Sequence, residues 1–174
     1  MPGEYPTEVH NRFVAAVCNI FYGISSKKNA FTISETCKDG PASATIISGS
    51  DPVRFDILMI HKVEDERIHY CVECKTRSEC STSTSSDLKR HLDIFLQKAY
   101  KCIDSLESRY GENYGFMFIS DVPFEVWDNH VNLEYVQSAI GNEPPPDNNK
   151  ISRLHPKVKI LIFSDWFADL FKEV

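Results

Sequence analysis

The residues of this chain best suited to do chemistry lie in one stretch, 53–77, which reads VRFDILMIHKVEDERIHYCVECKTR. Two β-prone apolar runs, FDILMI and RIHYCVECK, flank the charged, turn-like segment KVEDE, and that pattern predicts a β-hairpin. Asp56 opens the first run, and Glu73 and Lys75 close the second. Side chains alternate along a strand, so Glu73 and Lys75 share one face while Val72 and Cys74 point to the other. A carboxylate and an ammonium are thereby set side by side at a strand end. Burying charged groups without compensation is costly, so a set like this serves either an ion pair or a chemical site.

The spacing resembles the signature of the PD-(D/E)XK nuclease superfamily, the restriction-endonuclease-like fold, in which an Asp starts one strand and Glu-x-Lys lies near the end of the next. Here the pieces are Asp56 and Glu73-Cys74-Lys75, with Phe55 in the place of the proline that precedes the first acid. The resemblance implies hydrolysis of DNA phosphodiester bonds with Mg2+, for which Mn2+ substitutes. Asp56, Glu73 and the backbone carbonyl of Cys74 would be its oxygen ligands. Lys75 would orient the attacking water or offset charge on the phosphate, because two neighbouring carboxylates work against a free-base role. The resemblance also points to a first-helix acid at the metal site, for which Glu8 is the candidate. From the residues alone, Glu8 equally fits an i,i+4 pair with Arg12.

Positioning such a site takes a sheet and the helices that cover it. Residues 7–22 carry Val9, Phe13, Ala16, Val17, Ile20 and Phe21 at helical spacing, with Thr7 as cap and Gly23 as stop. Residues 30–38 alternate as a first strand, in which Glu35 is an alternative third acid. A short strand, ATIIS, lies between turn signals at Asp39-Gly40-Pro41 and Gly49-Ser50-Asp51-Pro52, and the hairpin comes next. The polar run 78–86, SECSTSTSS, reads as a loop at the mouth of the site. Residues 87–108 form the clearest helix, burying Leu88, Leu92, Phe95, Leu96, Ala99, Ile103 and Leu106. Its other side holds Arg90, Gln97, Lys98 and Lys101, which form a solvated face or, by the resemblance, groups aimed at the site or at DNA.

Further on, YGFMFIS at 114–120 reads as a strand buried on both faces, 121–132 as a loop and 133–140 as a short helix. The Pro-rich excursion 141–150 has no capacity to pack, 158–163 is a last strand, and a helix capped by Ser164 follows. The order is helix, strand, strand, strand, helix, strand, helix, strand. This gives an α/β (α+β) fold, and the resemblance, which covers about residues 7–120, makes it a restriction-endonuclease-like core with a mixed central sheet flanked by helices. At 174 residues the whole chain reads as one domain, 1–174.

Composition narrows the classes. With 42% hydrophobic and 25% charged residues the chain reads as a soluble globular protein. No run reaches the roughly 20 apolar residues of a membrane span, and the start lacks a secretory pattern, so a cytoplasmic location and no membrane partner are expected. A net charge of −6 argues against holding nucleic acid by bulk electrostatics alone, though metal-binding acids contribute to it. Recognition of DNA by a homodimer or with a partner protein is therefore expected, in a bacterial restriction or antiphage setting, with RNA left open as a substrate. The six cysteines, 18, 37, 71, 74, 80 and 102, read as scattered reduced thiols, because an odd separation puts Cys71 and Cys74 on opposite strand faces. His61, His69, His91, His130 and His155 show no metal-binding spacing, although His69 shares the face of Glu73. The alternatives are a nuclease-fold binding or assembly module without catalysis, and an unrelated α/β domain in which Lys75 pairs an acid structurally.

Overall fold

Alternating apolar residues on both faces of the central strands demand cover on both sides, and helices supply it. The computed structural model of the chain describes residues 5–40, 43–76, 84–121, 132–141 and 146–163. Its elements run α1 (Tyr5–Gly23), β1 (Asn29–Thr36), β2 (Thr45–Ser48), β3 (Asp51–Arg54), β4 (Ile57–Val63), β5 (Glu66–Lys75), α2 (Thr84–Tyr110), β6 (Tyr114–Ser120), α3 (Leu133–Ile140), α4 (Asn148–Leu154) and β7 (Val158–Ile162).

The main sheet has five strands in the order β1-β4-β5-β6-β7. β1, β4 and β5 form an antiparallel meander, whereas β6 pairs parallel to β5, and β7 parallel to β6. A parallel neighbour needs a crossover, and α2 is that crossover. The fold is therefore mixed α/β, with a central mixed sheet flanked by helices.

The two faces of the sheet feed two separate cores. On one side Val14, Val17, Cys18 and Phe21 of α1 pack on Ile57, Met59, Tyr70, Val72, Cys74, Met117 and Ile119. On the other, the apolar stripe of α2 packs on Cys71, Tyr114, Phe116 and Phe118, and α3 and α4 add Val136, Ala139, Ile151 and Leu154. Cys71 and Cys74 thus face opposite layers, as strand alternation requires. Every residue of β6 is buried because it is covered twice. Gly115 belongs to that strand for a steric reason: an added Cβ would lie 2.5 Å from the Tyr70 ring beside it.

The β4–β5 hairpin forms with a two-residue turn at Glu64 and Asp65. Three stretches differ from the sequence expectation. A second, separate hairpin, β2–β3, includes Pro52, which is tolerated because each of its strands is an edge. Its Ile46 and Val53 join the α2 core. The expected loop 78–86 ends early, since α2 begins at Thr84. The excursion 141–150 also stops short: Asp147 caps α4 through the amides of Asn149 and Lys150, and Ile151 and Leu154 of that helix are buried. The expected loop 121–132 and the helix after Ser164 lie almost wholly outside the described residues. Among the described residues, no helix is long and apolar enough to cross a membrane.

Candidate active site

Asp56 sits at the junction where β4 begins, and its backbone is fixed on both sides. Its N–H donates to the Val72 carbonyl at 2.9 Å, and its carbonyl accepts from the Cys37 N–H at 2.7 Å. The side chain is equally constrained. Oδ2 accepts from the backbone N–H of Cys74 at 2.7 Å, and Oδ1 lies 3.0 Å from Nε2 of His10. The first acid is thereby tied to the middle residue of Glu73-Cys74-Lys75. Helix α1 brings His10, and the turn after β1 brings Cys37, whose Sγ is 4.0 Å from the same His10 nitrogen. Arg54 holds that turn by donating to the carbonyls of Cys37 and Gly40 at 2.6 and 2.8 Å.

Glu73 projects from β5 toward α2, where Lys98 donates to both its carboxylate oxygens at 2.8 and 2.9 Å. The two side chains are largely shielded, at 29% and 21% exposure for Lys98 and Glu73. Lys98 also stands 5.8 Å above the Phe55 ring. Burial first, and then the Asp56 carboxylate, push the Glu73 carboxyl up from 4.5 to about 7, against the opposing pull of Lys98 and His10. Two acids from neighbouring strands therefore share one field, with Lys98 from one helix layer and His10 from the other bearing on it. Lys75 is half-buried, two residues beyond Glu73 on the same strand. The Cys74 thiol is buried and held well above its ordinary value, chiefly by burial and further by Asp56 and Glu73, so it stays protonated.

Comparison with protein-family models, curated proteins and solved structures returns no match.

The expected site residues fall into two groups. Asp56, Glu73 and Cys74 are brought together, and Lys75 follows them on β5. Lys98, expected on a solvated face or aimed at the site or at DNA, turns onto Glu73. Gln97 docks α3 by donating to the Ala139 carbonyl at 2.8 Å. Arg90 and Lys101 are exposed. Glu8 does not join Asp56: it pairs with Arg12 on the exposed side of α1, and His10 is the residue of that helix that reaches in. Glu35 is an exposed strand residue whose carboxylate accepts from the Ala44 amide at 2.7 Å. His69, on the Glu73 side of β5 by alternation, stacks on Tyr110 with ring centroids 3.8 Å apart and is a packing residue.

His10 and Cys37 are the site residues that sequence reasoning misses. Neither has a partner at motif spacing, since the three residues His10, Cys37 and Asp56 are separated by more than a turn of any element. The only local sign is that helical spacing places His10 one position after Val9 and three before Phe13, beside the buried stripe.

Proposed function

We propose that this chain is a metal-dependent nuclease of the PD-(D/E)XK type. It would hydrolyse DNA phosphodiester bonds as an endonuclease, in the cytoplasm and in a bacterial restriction or antiphage setting. The observation that carries the reading is the Asp56 carboxylate bonded to the amide of Cys74, which brings it alongside Glu73 and the strand that continues to Lys75. A further support is the order helix, antiparallel meander, helix, parallel strand, which brings the two acids from adjacent strands to the same sheet end.

The donor set suits a hard divalent cation. Asp56 and Glu73 offer only oxygen, the Cys74 carbonyl adds a third oxygen, and the protonated Cys74 thiol offers no competing thiolate. Burial, and after it Asp56, raises the proton affinity of Glu73, and a cation bound between the two acids would relieve the repulsion that Asp56 adds. Bound there, Mg2+, or Mn2+ in its place, supplies charge against the phosphate and an acidified water. The residues do the rest. Asp56 is held rigid by its amide bond and Glu73 is oriented by Lys98. Lys75 positions the attacking water and offsets charge on the phosphate as it becomes pentacoordinate. With a net charge of −6, productive binding of DNA draws on a second copy or a partner protein.

One observation favours a second reading, a nuclease-fold binding or assembly module without catalysis. Lys98 occupies both oxygens of Glu73, as a purely structural ion pair would. Plasmid nicking by the purified chain with Mg2+ or Mn2+, against EDTA and against Glu73→Ala, decides between them, with an RNA substrate run in parallel. Metal-dependent nicking lost in Glu73→Ala sustains the nuclease. Absence of nicking, or nicking indifferent to that change, removes it.

A further inference from the structure

The ligand atoms around Asp56 are of two kinds, and only one kind suits Mg2+. On the α1 side, His10, Cys37 and Asp56 each offer one ligand atom, and these three atoms lie within 4.8 Å of one another. His10 Nε2 is 3.0 Å from Asp56 Oδ1 and 4.0 Å from Cys37 Sγ. In a tetrahedral site with bonds of about 2.0–2.3 Å, ligand atoms stand roughly 3.3–3.8 Å apart. The observed separations bracket that range, so small side-chain rotations suffice to close the site.

We propose that His10, Cys37 and Asp56 form a binding site for a borderline transition-metal ion of the Zn2+ class, distinct in ligand chemistry from the oxygen site of Asp56 and Glu73. One imidazole nitrogen, one thiolate sulfur and one carboxylate oxygen match Zn2+ and mismatch Mg2+, which takes oxygen ligands. Three protein ligands leave a fourth position for water or an exchangeable group.

The backbone supports of the site are of the kind metal sites require. Three separate elements supply the ligands, and Cys37 and Asp56 are held by bonds that do not use the ligand atoms. Cys37 is fixed through its N–H to the Asp56 carbonyl and by Arg54 on its own carbonyl. Asp56 is fixed through its N–H to Val72, and its second carboxylate oxygen is engaged by the Cys74 amide, which leaves Oδ1 for the ion. All three residues are half-buried, so they are shielded yet reachable. On binding, the Cys37 thiol gives its proton to solvent, His10 Nε2 gives up through solvent the proton it shares with Asp56 so that the neutral imidazole carries its N–H at Nδ1, and His10 and Asp56 each then make a ligand bond.

Asp56 belongs to both sets, so the two ions compete for one carboxylate. If the nuclease reading holds, excess Zn2+ inhibits Mg2+-dependent cleavage. The test of the site itself does not depend on cleavage. The full chain, stripped of metal with chelator and dialysed, is titrated with Co2+ as an optical stand-in for Zn2+. The expected result is one equivalent bound with a thiolate-to-cobalt charge-transfer band and tetrahedral d–d absorption, both displaced by Zn2+. Cys37→Ser abolishes the charge-transfer band, and His10→Ala weakens Co2+ at least about tenfold. Glu73→Gln and Cys18→Ser leave the band intact, the latter because Cys18 packs in the same cluster that Cys37 joins. Circular dichroism verifies that the variants fold, and Cys37→Ala serves if Cys37→Ser does not. Absence of the band in the wild-type chain, or its survival in both Cys37 variants, overturns the proposal. So does its loss in Glu73→Gln. A chain that binds Co2+ through Cys37 yet cuts no DNA refutes the nuclease and leaves this site standing.

Discussion

Helix α2 carries two charged clusters, and they behave oppositely. Toward α4, Asp104 accepts from Lys150 at 2.7 Å and from Arg153 at 3.2 Å, Arg153 also pairs with Glu107, and Tyr114 donates to Glu107 at 3.0 Å. Two acids there meet two bases. Asp104 is held below its usual range, first by the hydrogen bond from Lys150 and further by Arg153. Toward β5, the same helix lends Lys98 to Glu73, yet that acid is pushed up, because burial and Asp56 outweigh Lys98 and His10. The residue types match and the outcomes differ. An acid drawn down is satisfied by its own chain and holds structure together. An acid pushed up first by burial and then by a neighbouring acid favours its protonated form, and under the nuclease proposed above that is where a cation would bind.

If the nuclease proposed above is right, the largest expected effect is on catalysis. Glu73→Gln or Asp56→Asn lowers metal-dependent nicking at least about a hundredfold, whereas Asp104→Asn leaves it unchanged. Lys75→Met removes cleavage as fully but keeps DNA binding in a mobility-shift assay. If Asp104→Asn proved as damaging as Glu73→Gln, the two clusters would no longer differ in kind.

A smaller effect falls on stability. Lys98→Met leaves a largely shielded acid without its donor and costs about 1–3 kcal/mol in urea unfolding. Adding Glu73→Gln to it recovers most of that loss, because the unpaired charge is gone. Equal stability of the single and double variants would show that Lys98 acts through its packing on Phe55 instead.

The pH dependence sharpens the same point. Glu73 has a folded-state pKa above its unfolded value, so the folded chain binds the extra proton between about 4.5 and 7. Its contribution to stability is present in full below that window and is lost as pH rises through it. Metal-free wild type should therefore lose stability relative to Glu73→Gln from pH 4.5 to 7, which thermal melts at fixed ionic strength measure. Subtracting the variant removes the opposite trend of His61 and His69, which burial holds below their usual value. A flat difference would mean that Lys98 satisfies Glu73 after all.

What could be read in the chain followed the range of the interactions. The hairpin, the stripes of α1 and α2 and the doubly buried β6 are written in local periodicity, because burial of one face acts on residues close in sequence. Asp56 and Glu73 were legible because strand pairing sets the start of β4 against the end of β5, at the open end of one hairpin. Lys98 was legible as a cation on α2 but not as the partner of Glu73, since the rotation of a helix over a sheet is decided by tertiary packing. The same holds for His10 and Glu8, two residues apart on α1: which of them faces Asp56 depends on how the helix rolls on its core. Helix α4 escaped notice because proline and asparagine around it read as loop, while its two buried residues, Ile151 and Leu154, are too few to show a period.

The smallest effect tests the satisfied side of the comparison. Asp104 is 63% exposed and Arg153 35%, so their attraction is spent largely in water. Arg153→Met, which keeps the aliphatic stem, should cost only about 0.2–1 kcal/mol. That cost should shrink in 1 M salt, where the screening length falls to about 3 Å. The cost of Lys98→Met should persist there, because its pair is largely shielded from the ions that do the screening. Asp104 adds a second signature, since a lowered pKa stabilises above its ordinary 3.8 and the benefit fades as pH falls below that value. Should Arg153→Met prove the costlier change, and salt-insensitive, the strain would lie under α4, and the raised acid on β5 would lose its claim to be the site.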